Sequence, residues 1–493
     1  MAFVGLAPSV RSRGATSGLP PGPRVPRMMQ AVLWGLRYAE FTRAARARYG
    51  PTYTVRPGTY PAVVVTTDRD AIRRLLTGAP LDKRHGNDVL KPLIGERSIL
   101  LLEPAEHLER RKLLLPPFHG ERVRAYAELM QRLIDEELDR WRAGDEVAVL
   151  PVAQNLTMEV ILRAVLGVAD PTMRQRLRGL IDDTLGYPFA GLRRRLDGTA
   201  LTRVTLPQRV RAAGALVAAL PTPAVMTYFP ELKVRSRWNP GTSRWWRHRD
   251  DLLGVLDAQV AATRADPRLA KREDILAMLV RARDEQGDGL GDEDLRDELV
   301  ALIAAGHETT AAAIAWGVVL LAHDRGVGER ATIAAREGDD RYLDALVKEV
   351  LRIRPPLPGT AARVLDAPLR IGEHTIPPGT PILVDGHGLH HDPALYPQPE
   401  ALRPERFLDG APEAYAWLPF GGGAHRCIGA ALAELEIKVV LGTVLRRIDL
   451  APAARELAPA VRRGVTLVPL GGGRIRVDGA PSGNGRQTAS SAE

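Results

Sequence analysis

Ala416-Trp-Leu-Pro-Phe-Gly-Gly-Gly-Ala-His-Arg-Cys-Ile-Gly429 holds Cys427, the only cysteine in 493 residues. A lone cysteine forms no internal disulfide, so its sulfur is a buried apolar group, a nucleophile or a ligand. Four glycines fall within nine residues, Phe420 stands ahead of them and good helix formers follow, which predicts a tight loop feeding a helix N-terminus. Unpaired N–H groups and the positive dipole end at that junction favour thiolate over thiol. Most lone cysteines are small buried hydrophobes. Here the glycines argue otherwise, because they clear side chains from around the sulfur so that something flat or bulky can approach.

Composition bounds the rest. With 45% hydrophobic residues the core is ample for one large domain or for two or three smaller ones. Net charge is +9, but 68 Lys+Arg face 59 Asp+Glu and the basic residues are scattered, which does not describe a nucleic-acid stripe. The clusters Arg193–Arg195 and Arg235–Arg249, the latter interleaved with Trp238, Trp245 and Trp246, read as a solvated face or packed loop. Neither a bilayer-spanning run nor a signal-peptide core opens the chain, so a cytoplasmic protein without a transmembrane anchor is expected. The Gly- and Ser-rich tail is expected to be disordered. The expected organisation is a flexible segment 1–18, one domain over 19–478 and a tail over 479–493.

Along the chain, Arg27–Tyr49 reads as an amphipathic helix interrupted by Gly35, followed by short strands at 53–55 and 62–66 and a helix capped by Asp68. His107 and Arg111, four apart, share a helix face that can hold an anion. From Asp292 a long helix carries Leu295, Leu299, Leu302, Ile303, Gly306, Thr310 and Ile314 on one stripe. Within it, Ala304-Ala-Gly-His-Glu-Thr-Thr310 is odd for a core helix, since Gly306 costs about 1 kcal/mol relative to Ala and the acid needs solvation. A helix–helix contact needing small residues explains it equally well. Glu349 and Arg352 form an i,i+3 pair that alone means little. Strands are read at 362–365 and 371–384, and the segments 465–468 and 474–477 as a hairpin across Gly471–Gly473.

Phe420, Gly423, His425, Cys427 and Gly429 fit Phe-x-x-Gly-x-His/Arg-x-Cys-x-Gly, so the chain resembles the cytochrome P450 enzymes, and the other motifs fall in that family's order. The resemblance implies a mainly α fold with small β-sheets, in which haem b (iron protoporphyrin IX) lies between a long distal helix and a proximal loop and helix bearing the cysteine. It implies Cys427 as axial ligand, Phe420 packing on the proximal side, Gly429 as a further cofactor-binding position, and His107, Arg111, Arg363 and His425 holding the propionates. Glu308 and Thr309 would deliver protons on the distal side, with Gly306 loosening the helix there. Glu349 and Arg352, joined by Arg406 of the Arg403-Pro-Glu-Arg-Phe407 segment, would be structural.

The implied activity is a monooxygenase that uses O2 and two external electrons to hydroxylate or epoxidise a lipophilic molecule such as a fatty acid, terpenoid, steroid or polyketide. Leu101, Ala301, Ala305, Pro358 and Thr360 would line its pocket. With no second cysteine and no flavin-binding sequence, electrons are expected from a separate ferredoxin or flavodoxin with its reductase, docking on Arg110, Lys112 and Lys438 of a monomer. Three alternatives stand beside it: a peroxide-using haem-thiolate enzyme, disfavoured by the intact Glu308-Thr309 pair; a haem-binding protein without turnover; and a Cys427–His425 nucleophile, whose geometry across a glycine loop is poor.

Overall fold

Residues 18–58, 62–78, 81–85, 87, 90–185, 240–408, 410, 412–463 and 465–479 are described in the computed structural model. Arg193–Arg195, Trp238 and nearly all of the expected terminal segments lie outside them. In chain order the longer helices are α1 (Arg27–Leu36), α2 (Tyr38–Tyr49), α3 (Arg69–Thr77), α4 (Pro104–Leu114), α5 (Ala127–Leu138), α6 (Val149–Val160) and α7 (Pro171–Thr184). They continue as α8 (Pro240–Arg264), α9 (Asp292–His323), α10 (Arg325–Glu337), α11 (Asp340–Ile353), α12 (Gly386–His390) and α13 (Ala430–Arg447). The strands are β1 (Thr52–Val55), β2 (Val63–Thr66), β3 (Leu81–His85), β4 (Glu146–Ala148), β5 (Arg363–Leu365) and β6 (Leu369–Ile371). After them come β7 (His374–Ile376), β8 (Pro381–Val384), β9 (Asp449–Pro452), β10 (Ala460–Arg463), β11 (Thr466–Pro469) and β12 (Arg474–Gly479).

The helix predicted from Asp292 is the axis of the molecule. It packs against α6, α8, α11 and α13, and every residue from Thr310 to Ala322 is buried. A helix covered on all sides is apolar all round, which also makes α9 long and apolar enough to cross a membrane by length and composition, although 61% of that window is buried inside the protein. Trp316, fully buried, donates its indole N–H to the Leu467 carbonyl at 3.0 Å and so ties the axis to the strands.

The main sheet has the order β1-β2-β8-β5-β3, with β2 and β8 parallel through Val64 opposite Ile382. Asp68 caps α3 as expected, accepting from Ala71 N–H at 2.8 Å. Two expectations are corrected. The break in the first helical stretch falls at Arg37 (φ −139°) and not at Gly35, because the bend there brings the Trp34 and Tyr38 rings edge to face at 4.9 Å. The segments after Val465 form no hairpin with each other: β11 pairs with β10, whereas β12 lies between β4 and β9. Gly471, Gly472 and Gly473 all have positive φ (69°, 81°, 68°), and this left-handed run sends the chain to another sheet.

One buried acid has a measurable consequence. Glu436 on α13 is 5% exposed, its Oε1 has no hydrogen-bond partner, and burial alone pushes its carboxyl up to about 8. A folded-state pKa above the unfolded one stabilises at low pH and loses that contribution as pH rises from the unfolded value of 4.5 to the folded value of about 8. Glu436→Gln carries no such penalty. Its melting temperature should therefore pull ahead of wild type across that window and hold a constant lead above it; a lead that does not vary with pH would mean that Glu436 ionises freely in the folded protein.

Candidate functional site

The cysteine loop folds as its glycines predict, for partly different reasons. Gly421 and Gly423 adopt φ of +66° and +65°, conformations that side chains rarely take. A Cβ at Gly423 would overlap the Leu76 carbonyl oxygen of α3, and one at Gly422 would meet Leu76 Cδ1 at 2.9 Å. These two glycines therefore let the loop press against α3. Gly429 is different: a Cβ there would meet nothing within 4 Å. The loop closes through the Cys427 N–H on the Phe420 carbonyl at 2.9 Å and the Arg426 N–H on the Gly423 carbonyl at 3.1 Å, and α13 begins three residues after Cys427.

Cys427 remains accessible on one side. The expectation that the helix N-terminus lowers its pKa is overturned for the protein alone: desolvation by the enclosing loop pushes the thiol up, against the Gly429 N–H and the charges of Arg426 and Arg111, which pull it down. Desolvation thus outweighs the two positive charges and the N–H beside the sulfur.

The cations that the sequence named fall on α4, on β5 and in the loop itself. His107, buried on α4, lies with its ring 4.0 Å from that of His425. Arg111, one turn on, feels the Cys427 charge, although burial is the larger influence and lowers its pKa. On β5 the Arg363 Nε is buried without a hydrogen-bond partner, and desolvation alone lowers its pKa, with no acid opposing. A buried guanidinium that lacks a counter-charge is costly unless an anion meets it. These features fit haem: an accessible thiol, open space beside Gly429, and cations on separate elements that could meet two propionates.

On α9, no residue from Ala304 to Thr309 is buried, whereas all of Thr310–Ala322 are. Small side chains left uncovered in the middle of a core helix suit a flat group lying across them. Gly306 does not break α9, which is continuous from Asp292 to His323; a Cβ there would lie at ordinary contact distance, 3.4 Å, from Ile161 Cδ1, so the packing does not require glycine. The Thr309 hydroxyl donates to the Ala305 carbonyl at 2.5 Å. Glu308 points to the protein instead, accepting from Gln154 Nε2 at 2.7 Å and lying 3.2 Å from Arg463 Nε. Neither Gln154 nor Arg463 carried any sequence signal.

The Glu349–Arg352 pair is not the surface device its spacing suggests. Both side chains are fully buried, joined by two hydrogen bonds of 2.7 and 2.8 Å. Arg352 also donates to the His390 carbonyl at 2.7 Å and the Ala401 carbonyl at 3.3 Å, and Arg406 reaches Glu349 at 3.3 Å. His390 Nε2 accepts from the Leu418 N–H at 2.8 Å, burial holding that imidazole down to about 3, hence neutral. Trp417 donates to the Lys348 carbonyl at 3.1 Å. The lock therefore holds the N-terminal limb of the cysteine loop, through His390 and Trp417, which the motifs did not name.

Of the predicted pocket residues, Leu101 is half-buried against the main core, Ala301 is buried and Ala305 exposed. Pro358 is buried, its carbonyl taken by the His387 N–H at 2.7 Å, and the Thr360 hydroxyl donates to the Ala361 carbonyl at 3.1 Å. Two of the three predicted docking cations are corrected, because they are largely covered and their charges are met within the chain. Arg110 is 14% exposed and bound to Asp294 and Glu298, and Lys438 pairs with Asp340 and Asp344. Lys112 reaches Glu285 at 3.2 Å on the open surface. Of the tryptophans in the second Arg cluster, Trp245 is buried and donates to the Thr184 carbonyl at 3.1 Å, as a packed segment does.

The cytochrome P450 family model matches residues 19–471. A Mycobacterium tuberculosis (strain CDC 1551 / Oshkosh) protein named cytochrome P450 135A1 is 33% identical over 468 residues, 94% of this chain and 96% of that protein. A Mycobacterium bovis protein named cytochrome P450 135B1 is 35% identical over 473 residues, 94% and 92% of the two chains. Among solved structures, retinoic acid bound cyanobacterial CYP120A1 shares the fold, with a TM-score of 0.73 at 23% identity over 93% of this chain and 99% of that one.

Proposed function

Since this chain belongs to the cytochrome P450 family of haem-thiolate monooxygenases, we propose that it hydroxylates or epoxidises a lipophilic small molecule, drawing two electrons from a separate ferredoxin or flavodoxin with its reductase. The observations that support the site assignment are the Arg363 Nε, buried without a hydrogen-bond partner and with no acid opposing it, and the open Cys427 thiol. Cys427 would hold the haem, with Phe420 beside it. Arg111, Arg363, His107 and His425 would meet its carboxylates. When bound, haem supplies the activation of O2. A cytoplasmic location fits this reading.

The chain's own part is to orient substrate and move protons. Ala301 and Ala305 leave room above the site, with Leu101 and the Pro358–Thr360 segment at its sides. The Thr309 hydroxyl, bonded to the Ala305 carbonyl, is a proton donor held in place. Glu308 lies on the protein side of the same turn, and its contacts with Gln154 and Arg463 hold it as the relay's outer member. A positioned proton donor is worth roughly a hundredfold. In Thr309→Ala, with a substrate found by its spin-state shift, oxygen uptake should continue while product per oxygen falls by about that factor and hydrogen peroxide appears in its place. Full coupling in the variant would remove Thr309 from the relay.

A further inference from the structure

Resting on the reading that the segment through Leu101 borders the substrate space, we propose that Glu298 and Arg110 are positioning residues which hold this segment at a set distance from α9 and thereby keep open the space that a bulky molecule needs in the site. Glu298, 1% exposed near the start of α9, accepts the Ile99 N–H at 2.8 Å and Arg110 Nη1 at 3.1 Å. Arg110 also donates to the Arg97 carbonyl at 3.2 Å and pairs with Asp294 at 2.9 Å. Beside them Asp297, also buried, accepts the Arg97 N–H at 3.1 Å.

Two peptide N–H groups and one carbonyl of a short irregular segment are thus held by side chains from two helices. Such a segment has no ladder of its own, so its position is set by these bonds. The approach is close: at Gly95, φ +81°, a Cβ would overlap the Asp297 carboxylate. Arg110 neighbours Arg111 on α4, and Glu298 lies one turn ahead of Ala301 on α9. The clamp therefore joins the helix that reaches the cysteine to the helix above it, with the wall segment between them. Burial pushes the Glu298 carboxyl up to about 8, and Arg110 and the Ile99 N–H pull it back. Glu298 takes two of these bonds, one of them from the charged Arg110, and hydrogen bonds to a charged group outweigh those between neutral partners, which makes Glu298 the member to remove.

The test compares two ligands with one binding nitrogen and different bulk, imidazole and clotrimazole, titrated by Soret shift into the haem-loaded protein. Glu298→Ala should weaken clotrimazole about tenfold and leave imidazole within about twofold, with the reduced carbon monoxide spectrum unchanged. Glu298→Gln, whose amide oxygen still accepts the Ile99 N–H, should recover most of the loss and serves if the alanine variant does not fold. Amide exchange at Arg97 and Ile99 should accelerate in Glu298→Ala. Parallel changes for both ligands, or none, would overturn the proposal. A wild type with no imidazole shift would instead fail the haem reading, and amide exchange alone would then decide whether the clamp holds the segment.

Discussion

Cys427→Ser is expected to abolish the strongly red-shifted Soret band that the reduced wild-type protein shows with carbon monoxide, and with it turnover. Serine keeps the size and the backbone contacts of the loop, including the N–H bond to Phe420 at 2.9 Å. A hydroxyl does not ionise as a thiol does, so the variant lacks the anionic sulfur whose electron density marks thiolate haem. Stability should change by no more than about 1 kcal/mol, because no packing is lost. The protein alone raises the thiol pKa, so the thiolate depends on the bound metal to hold it, and a metal-coordinated thiol is deprotonated outright. A band that survives in the serine variant, or never forms in wild type, would end the haem-thiolate assignment and return Cys427 to the buried-hydrophobe and nucleophile readings.

Glu349→Gln should destabilise the folded protein by about 3–5 kcal/mol, the cost of leaving a buried arginine without its carboxylate. The residue serves Arg352, Arg406 and the Arg403 N–H together, all within 3.3 Å. Against a total of about 5–15 kcal/mol, that loss is large. Because Arg352 holds the His390 carbonyl, and His390 in turn receives the Leu418 N–H, the weakened lock should loosen the cysteine loop and lower haem content. The double variant Glu349→Met, Arg352→Leu removes both charges and should be less damaged than either single change. Unfolding by urea, read beside haem retention, checks all three; additive losses would show that the pair is not coupled.

Legibility followed from how far apart the deciding residues lie. The cysteine loop could be read because its glycines, its sulfur and its helix start are consecutive, and the helix from Asp292 because its stripe repeats over many turns. The spacing of Glu349 and Arg352 was legible too, but its weight was not: an i,i+3 pair looks the same whether fully exposed or, as here, fully buried. The glycines misled in part. Gly422 and Gly423 answer to Leu76, far away in the chain, and a lone sequence carries no mark of that contact.

Local chemistry alone determined that a cysteine would stand at a helix N-terminus, that a small-residue stretch would lie within a core helix, and that His107 and Arg111 could meet an anion. Only the tertiary structure decided where charges end. It turned Arg110 inward to Glu298, drew Glu308 to Gln154 and Arg463, left Arg363 without an acid and sent β12 away from β11. The physical reason is that a charge's partner is set by desolvation and by whichever element folds against it, and those elements come from segments that share no local pattern.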